Sequence, residues 1–264
     1  MLGTKITLMN RRDMLKLTGA AVAGSTLFGL DAIASENPAQ GTAGKNAQGG
    51  KPKKALIIGA HPDDPETGCG GTMVMLRKAG WDVVSVYMTK GEAGIKGKSH
   101  EESAAIRTKE AIEACKIMDV RPIFLSQIDG SCIVDADRYK EMKDVIDAEK
   151  PDIVFTHWPM DSHADHRVCY TLVFDAWRRL GYCFDLYFFE AMNGIQSQLF
   201  YPTDWVDITP AAETKRKATF CHVSQEPENW YDESHGQMEI FRGLEYRCKR
   251  AEAFVYMNRT GKIF

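Results

Sequence analysis

The sequence predicts an α/β fold with a doubly wound, mostly parallel sheet and helices on both faces. Short apolar segments alternate with longer helical segments along the chain, and repeated strand–helix units form parallel sheets. The predicted strands are apolar throughout rather than at every second residue, as a sheet covered on both faces requires. Together these observations predict a Rossmann-like arrangement, in which ligands bind at the carboxyl edge of the sheet.

The predicted elements begin at Ala55. The apolar segments ALIIGA, VVSVYMT, PIFL, DIVFTH and DLYFFE are predicted strands, at 55–60, 83–89, 122–125, 152–157 and 185–190. Helices are predicted between them, at 70–79, 101–118, 137–149 and 164–179. After Asn193 the pattern is weaker and predicts a strand near 204–209, helices near 210–221 and 237–250, and a short strand near 253–257.

Residues 1–34 have the pattern of an export signal. Arg11 and Arg12 precede a short apolar run (17–30), and AIAS supplies an A-x-A cleavage pattern. A membrane anchor is the alternative, but the run is too short and too rich in Gly and Ala to span comfortably. The arginine pair resembles a twin-arginine signal, although Asn10 stands where Ser or Thr is commoner. We therefore expect periplasmic or extracellular localisation through the twin-arginine export machinery, without a stable membrane anchor.

The composition suits one globular domain with an N-terminal appendage. Residues 35–54 are polar and predict a flexible linker, which leaves 55–264 as the folded domain. A net charge of −3 gives no sign of the basic surface that nucleic acid requires. The seven cysteines lack CxxC spacing, which argues against a cysteine zinc cluster or a dense disulfide framework. Cys69 is expected to pack within a helix.

A histidine and two adjacent aspartates directly follow the first predicted strand. His61, Asp63 and Asp64 would therefore lie at the ligand-binding edge of the sheet. Asp63 or Asp64 could instead cap the following helix, with Glu66 favouring its positive end. Taken alone, this HPDD motif leaves both interpretations open.

A second polar cluster follows another predicted strand. The segment THWPMDSHADHR supplies His157, Asp161, His163, Asp165, His166 and Arg167. The two clusters together bring four of the seven histidines to one sheet edge. Two imidazoles and one carboxylate, with a position left for water, are typical of catalytic zinc. His163 and His166 share a helix face, so their spacing does not decide which one binds a metal.

The motifs AHPDDPE and HADH together resemble those of the PIG-L/LmbE-like zinc-dependent de-N-acetylases. The resemblance covers most of residues 55–256. Supporting segments occur in that family's order: TKGEAG (89–94), RTKEAIEAC (107–115), LSQIDG (125–130), DITPAAETKRKATFCHVSQ (207–225) and RCKRAEAFV (247–255). Ala164 stands where the family commonly has proline, a change that removes no functional group.

The resemblance implies a Zn²⁺ site and its catalytic groups. The implied metal ligands are His61, Asp64 and His166. Asp63 would be the general base that activates the attacking water. His163 would stabilise the oxyanion or protonate the leaving amine, and Asp165 would hold the His163 ring in position.

The resemblance also suggests residues that hold the substrate. Glu92, Arg107 and Asp129 lie in family-like segments near the same edge, where they could bind sugar hydroxyls. The alternatives are that Glu92 is solvated in its glycine-rich loop and that Arg107 is a helix surface charge. Structural roles are expected for His222 and Gln225, and exposed positions for His100 and His235.

The leading functional prediction is an exported zinc hydrolase that removes an N-acetyl group from an N-acetylglucosamine-type glycan or glycoconjugate. The residue pattern by itself supplies only a metal-hydrolase site, and the resemblance supplies the substrate class. The alternatives are a zinc amidase acting on another N-acyl compound and a non-catalytic exported glycan-binding protein. An intact Asp63 beside a full ligand set argues against the binding protein, which has no need of a base. A His₂Asp site accepts several divalent metals besides zinc.

Overall fold

A computed structural model of the protein describes residues 51–191 and 196–257. The predicted export signal and nearly all of the predicted linker lie outside these residues, so both stay predictions. In the two described stretches, no helix combines the length and the apolar character needed to cross a membrane.

The described residues contain seven strands and six α-helices. The strands are β1 (Lys54–Gly59), β2 (Asp82–Tyr87), β3 (Arg121–Phe124), β4 (Ile153–His157), β5 (Asp185–Phe189), β6 (Asp204–Asp207) and β7 (Ala251–Tyr256). The helices are α1 (Asp64–Lys78), α2 (His100–Met118), α3 (Ala136–Glu149), α4 (Ala164–Arg179), α5 (Ala212–Thr219) and α6 (His235–Tyr246). Two short 3₁₀ turns, Val223–Gln225 and Pro227–Asn229, lie between α5 and α6.

The strands form one sheet in the order β3-β2-β1-β4-β5-β7-β6. The pairs from β3 to β5 are parallel, and β7 is antiparallel to both β5 and β6. The chain first runs outward from β1 through β2 to β3, and then continues on the other side of β1 with β4 and β5. The strand order therefore reverses between β1 and β4, where a doubly wound sheet has its ligand crevice.

The sheet is covered on both faces, as the continuous apolar strands predict. In β1, Leu56 and Ile58 pack into the core formed with α3 and α4, whereas Ile57 packs into the core formed with α1, α2 and α5. All three side chains are fully buried. The predicted fold class is confirmed.

The first helix begins six residues earlier than the sequence predicts. Helix α1 starts at Asp64, because Pro65 is tolerated in a first helical turn and the glycines that follow are required by packing. A Cβ atom on Gly68 would lie 2.5 Å from the Phe189 ring, and one on Gly71 would lie 2.5 Å from Cγ2 of Ile208. These contacts override the low helix propensity of glycine, so the helix starts at the HPDD motif itself.

Candidate metal centre

Three buried side chains from the carboxyl ends of β1 and β4 converge on one point. Nδ1 of His61 lies 3.4 Å from Oδ2 of Asp64, and Nε2 of His166 lies 3.3 Å from Oδ1 of Asp64. The two imidazole nitrogens lie 3.3 Å apart. In a tetrahedral zinc site with bonds of about 2.0–2.1 Å, neighbouring ligand atoms are about 3.3–3.4 Å apart. Asp64 contacts His61 through one carboxylate oxygen and His166 through the other, so the three side chains of the predicted ligand set lie close enough together to bind one cation.

Both imidazoles contact a carboxylate through their other nitrogen. Nε2 of His61 lies 3.1 Å from Oδ2 of Asp165, and Nδ1 of His166 lies 2.9 Å from Oδ2 of Asp161. Metal-binding histidines usually have such a partner, because it fixes the ring orientation and makes the ligand nitrogen more basic. The sequence places Asp161 in the second cluster without giving it a role, and its position directly after a core strand is the signal for one.

The electrostatics of the centre favour a positive charge. Burial opposes protonation of His61, but the carboxylates of Asp129, Asp165 and Asp64 outweigh it and raise its pKa well above the ordinary value. Burial likewise opposes protonation of His166, yet Asp64 and Asp161 raise its pKa to about 9. The carboxylates that raise these pKa values create a negative potential, which also favours the binding of a divalent cation.

His163 differs from His166, although distances alone would allow both to bind a metal. The ligand atoms of His61, His163 and His166 all lie within 4.8 Å of one another. However, His163 is the N-cap residue of α4, and its Nδ1 accepts the backbone N–H of Asp165 at 3.2 Å. The remaining nitrogen, Nε2, therefore carries the proton of the neutral ring. This arrangement favours His166 as the ligand and leaves His163 as a hydrogen-bond donor.

The contact between Asp165 and His163 differs from the predicted one. The backbone amide of Asp165 holds the His163 ring, whereas the Asp165 carboxylate accepts the N–H of Gly130 at 2.7 Å and contacts His61. The reason is the helix cap, because the His163 side chain folds back over the first turn of α4. The Asp165 side chain then extends toward the end of β1.

His157 packs against two of the predicted metal ligands, His166 and Asp64. It is fully buried at the end of β4, and its ring stacks on that of His166 with centroids 3.9 Å apart. Its Nε2 accepts the backbone N–H of Ala60 at 3.0 Å and lies 3.2 Å from Oδ2 of Asp64. Burial lowers its pKa to about 4, so the ring is neutral at physiological pH. His157 therefore joins the end of β4 to that of β1 and restrains the His166 ring by stacking on it.

Asp63 does not cap helix α1 through its side chain. Its backbone φ is 119°, which is rare for a residue with a side chain, and its carboxylate makes no capping hydrogen bond. Instead, Oδ2 accepts Nη2 of Arg107 at 2.9 Å. Burial raises the pKa of Asp63 although Arg107 opposes the shift. The capping interpretation is therefore wrong for this side chain, and strained backbones of this kind concentrate at functional sites.

Arg107 is a buried residue of the site rather than a helix surface charge. It is only 3% exposed, donates to the carbonyl oxygen of Pro62, and lies 3.7 Å from Oδ2 of Asp129 through Nη1. Asp129 in turn lies 3.2 Å from Nε2 of His61 through Oδ1. Arg107 and Asp129 are therefore both at the centre.

Glu92 is buried next to Asp129 rather than exposed to solvent. Its carboxylate accepts the backbone N–H groups of Asp129 and Lys90, at 3.1 Å and 3.2 Å. It is 7% exposed, so the alternative of a solvated loop residue is wrong. The backbone hydrogen bonds use its carboxylate to hold two loops together and to position Asp129, and its predicted contact with substrate stays a prediction.

Two cavities open on either side of the centre and share Asp63 and Gln225. The smaller, of about 320 Å³, is also lined by His61, Ala93, Gly94, Arg107, Asp129 and His163. The larger, of about 420 Å³, is also lined by Asp64, Thr67, His166, Ala191, Gln196, Trp230, Ser234 and His235. An acyl compound bound across Asp63 could therefore reach both cavities.

The remaining predicted histidines have mixed outcomes. His100 is exposed, as predicted, and His222 is fully buried, as a structural role requires. His235 is half-buried and lines the larger cavity, so its predicted exposure is wrong. No pattern in the sequence indicates this position, because His235 follows a non-periodic stretch whose path depends on the 3₁₀ turns. Cys69 is fully buried in α1, as predicted.

Comparison with known proteins finds deacetylases that are similar to this chain in sequence. The family model for GlcNAc-PI de-N-acetylase matches residues 56–177. A diacetylchitobiose deacetylase from Thermococcus kodakarensis is 33% identical over 194 residues, covering 68% of this chain and 73% of that protein. A probable N-acetyl-α-D-glucosaminyl L-malate deacetylase from Bacillus subtilis is 32% identical over 123 residues, covering 43% of this chain and 56% of that protein.

Solved structures agree on the fold. The N,N′-diacetylchitobiose deacetylase of Pyrococcus horikoshii has a TM-score of 0.68 and 28% identity, covering 78% of this chain and 84% of that one. A 4-carboxy-2-hydroxymuconate hydratase from Pseudomonas putida has a TM-score of 0.70 and 21% identity, covering 80% and 99%. The latter likeness concerns the fold alone, which shows that this architecture also supports a different reaction.

Proposed function

Because the chain belongs to the PIG-L family of de-N-acetylases, we propose that it is an exported, zinc-dependent hydrolase of N-acetylated amino sugars. It would remove the acetyl group from the nitrogen of an N-acetylglucosamine-type glycan or glycoconjugate. The observation that carries the proposal is the convergence of His61, Asp64 and His166, with contacts of 3.3–3.4 Å between each pair of side chains, beside the strained Asp63. The similarity to deacetylases of N-acetylglucosamine compounds supports the substrate class.

The donor set suits zinc among the divalent metals. Two imidazole nitrogens and one carboxylate oxygen are a catalytic zinc set, which leaves a position for water or substrate. When bound there, zinc would lower the pKa of a water toward neutrality and polarise the amide carbonyl. The absence of a thiolate also makes the site compatible with other divalent metals, so zinc itself is part of the proposal.

Asp63 would act as the general base. Its carboxylate lines both cavities, retains 21% of its side-chain exposure, and is oriented by Arg107. It can therefore accept a proton from the attacking water at a carboxylate oxygen. Burial raises its pKa toward the operating pH, which improves the efficiency of a base that must later release the proton.

His163 would stabilise the charge that develops on the carbonyl oxygen or protonate the leaving amine. The Asp165 amide fixes Nδ1 as an acceptor, so Nε2–H is the free donor of the ring. Burial, together with the nearby His61 and His166, lowers the pKa of His163. The ring is therefore neutral in the resting site and acts through a fixed hydrogen-bond donor.

The smaller cavity would hold the sugar that carries the acetamido group. Arg107, Asp129 and His163 line it and supply both donors and acceptors for hydroxyl groups. A hydroxylated ring can form hydrogen bonds with these polar groups, whereas an apolar amide would displace their water without replacing its hydrogen bonds. This argument favours the amino-sugar substrate over the alternative of an amidase for other N-acyl compounds.

Acetate release tests the proposal directly. Protein with a measured zinc content should release acetate from at least one member of a panel of N-acetylated glycans, and removal of the metal by a chelator should stop the release. A metal-loaded protein that binds glycans of the panel without releasing acetate would be a binding protein. Release from simple N-acyl amides, but from no sugar, would identify an amidase instead.

A further inference from the structure

The larger cavity has room for more than the acetyl group. Its volume is about 420 Å³, whereas a methyl group is comparable in size to a water molecule, whose share of liquid volume is about 30 Å³. The acetamido sugar itself is assigned to the smaller cavity with Arg107 and Asp129. The larger cavity is therefore available to a part of the substrate beyond the sugar that reacts.

Trp230 provides a fixed aromatic wall in this cavity. Its indole N–H donates to the carbonyl oxygen of Gln225 at 2.8 Å, and the His235 ring packs edge-on against it with centroids 5.2 Å apart. A side chain held this way loses little conformational freedom when a ligand binds. An indole offers a large apolar surface, which suits the C–H face of a sugar ring.

His235 adds an uncharged polar group next to this wall. Its Nδ1 is buried and has no hydrogen-bond partner among the described residues. Burial and the nearby Lys215 ammonium lower the pKa of His235 to about 3, so the ring is neutral. A buried polar atom without a partner marks a place where a ligand or an ordered water supplies one.

The cavity lacks the groups that recognise an anion. Within the described part of the chain, neither lysine nor arginine lines it. The ionisable residues that line it near the metal centre are Asp63, Asp64 and His166. Gln225 and Ser234 are among the uncharged hydrogen-bonding residues of its walls. A phosphate or carboxylate would lose water here without gaining an ion pair, whereas a neutral hydroxylated ring would find partners.

We infer that Trp230 and His235 form a subsite for a neutral sugar residue joined to the N-acetylated sugar. The preferred substrate is then a neutral oligosaccharide rather than a free monosaccharide or a glycoside of an anionic group. The inference deepens the proposed function and rests on it, because the reacting sugar must occupy the other cavity.

The test compares kcat/KM for acetate release from N-acetylglucosamine, N,N′-diacetylchitobiose and N-acetylglucosamine 1-phosphate. The wild-type protein should prefer the disaccharide to both of the others. Trp230→Ala should lower the ratio of disaccharide to monosaccharide kcat/KM by about tenfold, because it removes the apolar wall. Calorimetric titration with the deacetylated disaccharide should show correspondingly weaker binding.

Trp205 offers a matched control. It lies on β6, is half-buried, donates its indole N–H to Glu245, and lines neither cavity. Trp205→Ala should leave the substrate ratio unchanged. If Trp230→Ala does not fold, Trp230→Phe and His235→Gln replace it, since each removes one element of the wall and should still lower the ratio.

The outcomes separate the inference from the proposed function. If the wild type is active and the Trp230→Ala and His235→Gln variants keep its preference for the disaccharide, the subsite is wrong. The proposed deacetylase activity is then still supported. A wild type that prefers the phosphate would overturn the subsite as well. Absence of acetate release from all three compounds would overturn the inference, and the proposed function fails with it only if no other glycan of the wider panel releases acetate.

Discussion

At the scale of single residues, the site depends on how each side chain is held. The sequence predicted which residues meet, because polar residues after parallel strands share one edge. It could not predict that the Asp165 carboxylate turns to His61, since that follows from the cap geometry of His163. Nor could it predict that Glu92 lies behind Asp129, because that depends on the meeting of two separate loops.

The metal ligands can be separated from their neighbours by substitution. His166→Ala should lose most of the bound zinc, because it removes one of the three proposed metal ligands. His163→Ala should keep the zinc, because the backbone amide of Asp165 holds Nδ1 of this ring, and it should lose activity, because the Nε2–H donor is removed. Metal analysis of the two purified proteins checks this. Equal loss of zinc in both variants would mean that both histidines are ligands.

The strain at Asp63 predicts a stability difference between two variants. Asp63→Gly and Asp63→Ala remove the same carboxylate and its contact with Arg107, so they differ mainly at the backbone. Glycine adopts a φ of 119° freely, whereas alanine does not. The glycine variant should therefore be more stable than the alanine variant by about 1 kcal/mol in the free energy of unfolding. Urea denaturation measures this, and equal stabilities would show that the backbone relaxes.

At the scale of elements, helix α1 begins at Asp64, directly after Asp63, and is held by a buried ion cluster. Glu252 of β7 accepts the backbone N–H groups of Gly71 and Thr72 in this helix, at 2.8 Å and 2.7 Å. Lys215 of α5 donates to Glu252 at 2.7 Å, and both residues are fully buried. This cluster could not be predicted from the sequence, where Lys215 and Glu252 are two charged residues in separate segments near the C-terminal end. No local pattern indicates that β7 places Glu252 against α1.

Breaking this cluster should loosen α1 and destabilise the domain. Lys215→Met would leave Glu252 and Glu239 buried without their shared cation, which costs about 3–5 kcal/mol of folding free energy. Lys217→Met on the same helix is the control, because Lys217 is exposed and its pair with Glu213 contributes little. Thermal melting of both variants tests the difference. A Lys215→Met protein as stable as the control would show that the cluster does not hold the helix.

At the scale of the whole molecule, the sheet topology explains why two distant motifs form one site. The strand order reverses between β1 and β4, so HPDD and the HADH segment meet although about a hundred residues separate them in the sequence. The continuous apolar strands were sufficient to predict this arrangement. They were not sufficient to predict the larger cavity, whose Trp230 wall lies in irregular structure between α5 and α6.

Export is the other property of the whole molecule, and it rests on the sequence of residues 1–34. Replacing Arg11 and Arg12 together by lysine should retain the protein in the cytoplasm, because the twin-arginine machinery recognises the arginine pair. Cell fractionation with detection of the precursor and mature forms checks this. The reverse change at Lys53 and Lys54, both to arginine, serves as a control outside the signal. Unchanged export and cleavage of the Arg11, Arg12 variant would exclude the twin-arginine route.

The account as a whole depends on Asp63 being a base beside a metal, and Asp63→Asn tests this most directly. The amide is isosteric with the carboxylate but cannot accept a proton at neutral pH. The rate of acetate release from the best N-acetylated substrate should fall by about 10²–10⁴-fold, while zinc content and Tm stay close to those of the wild type. A variant that turns over at a nearly normal rate, with its zinc in place, would contradict the account.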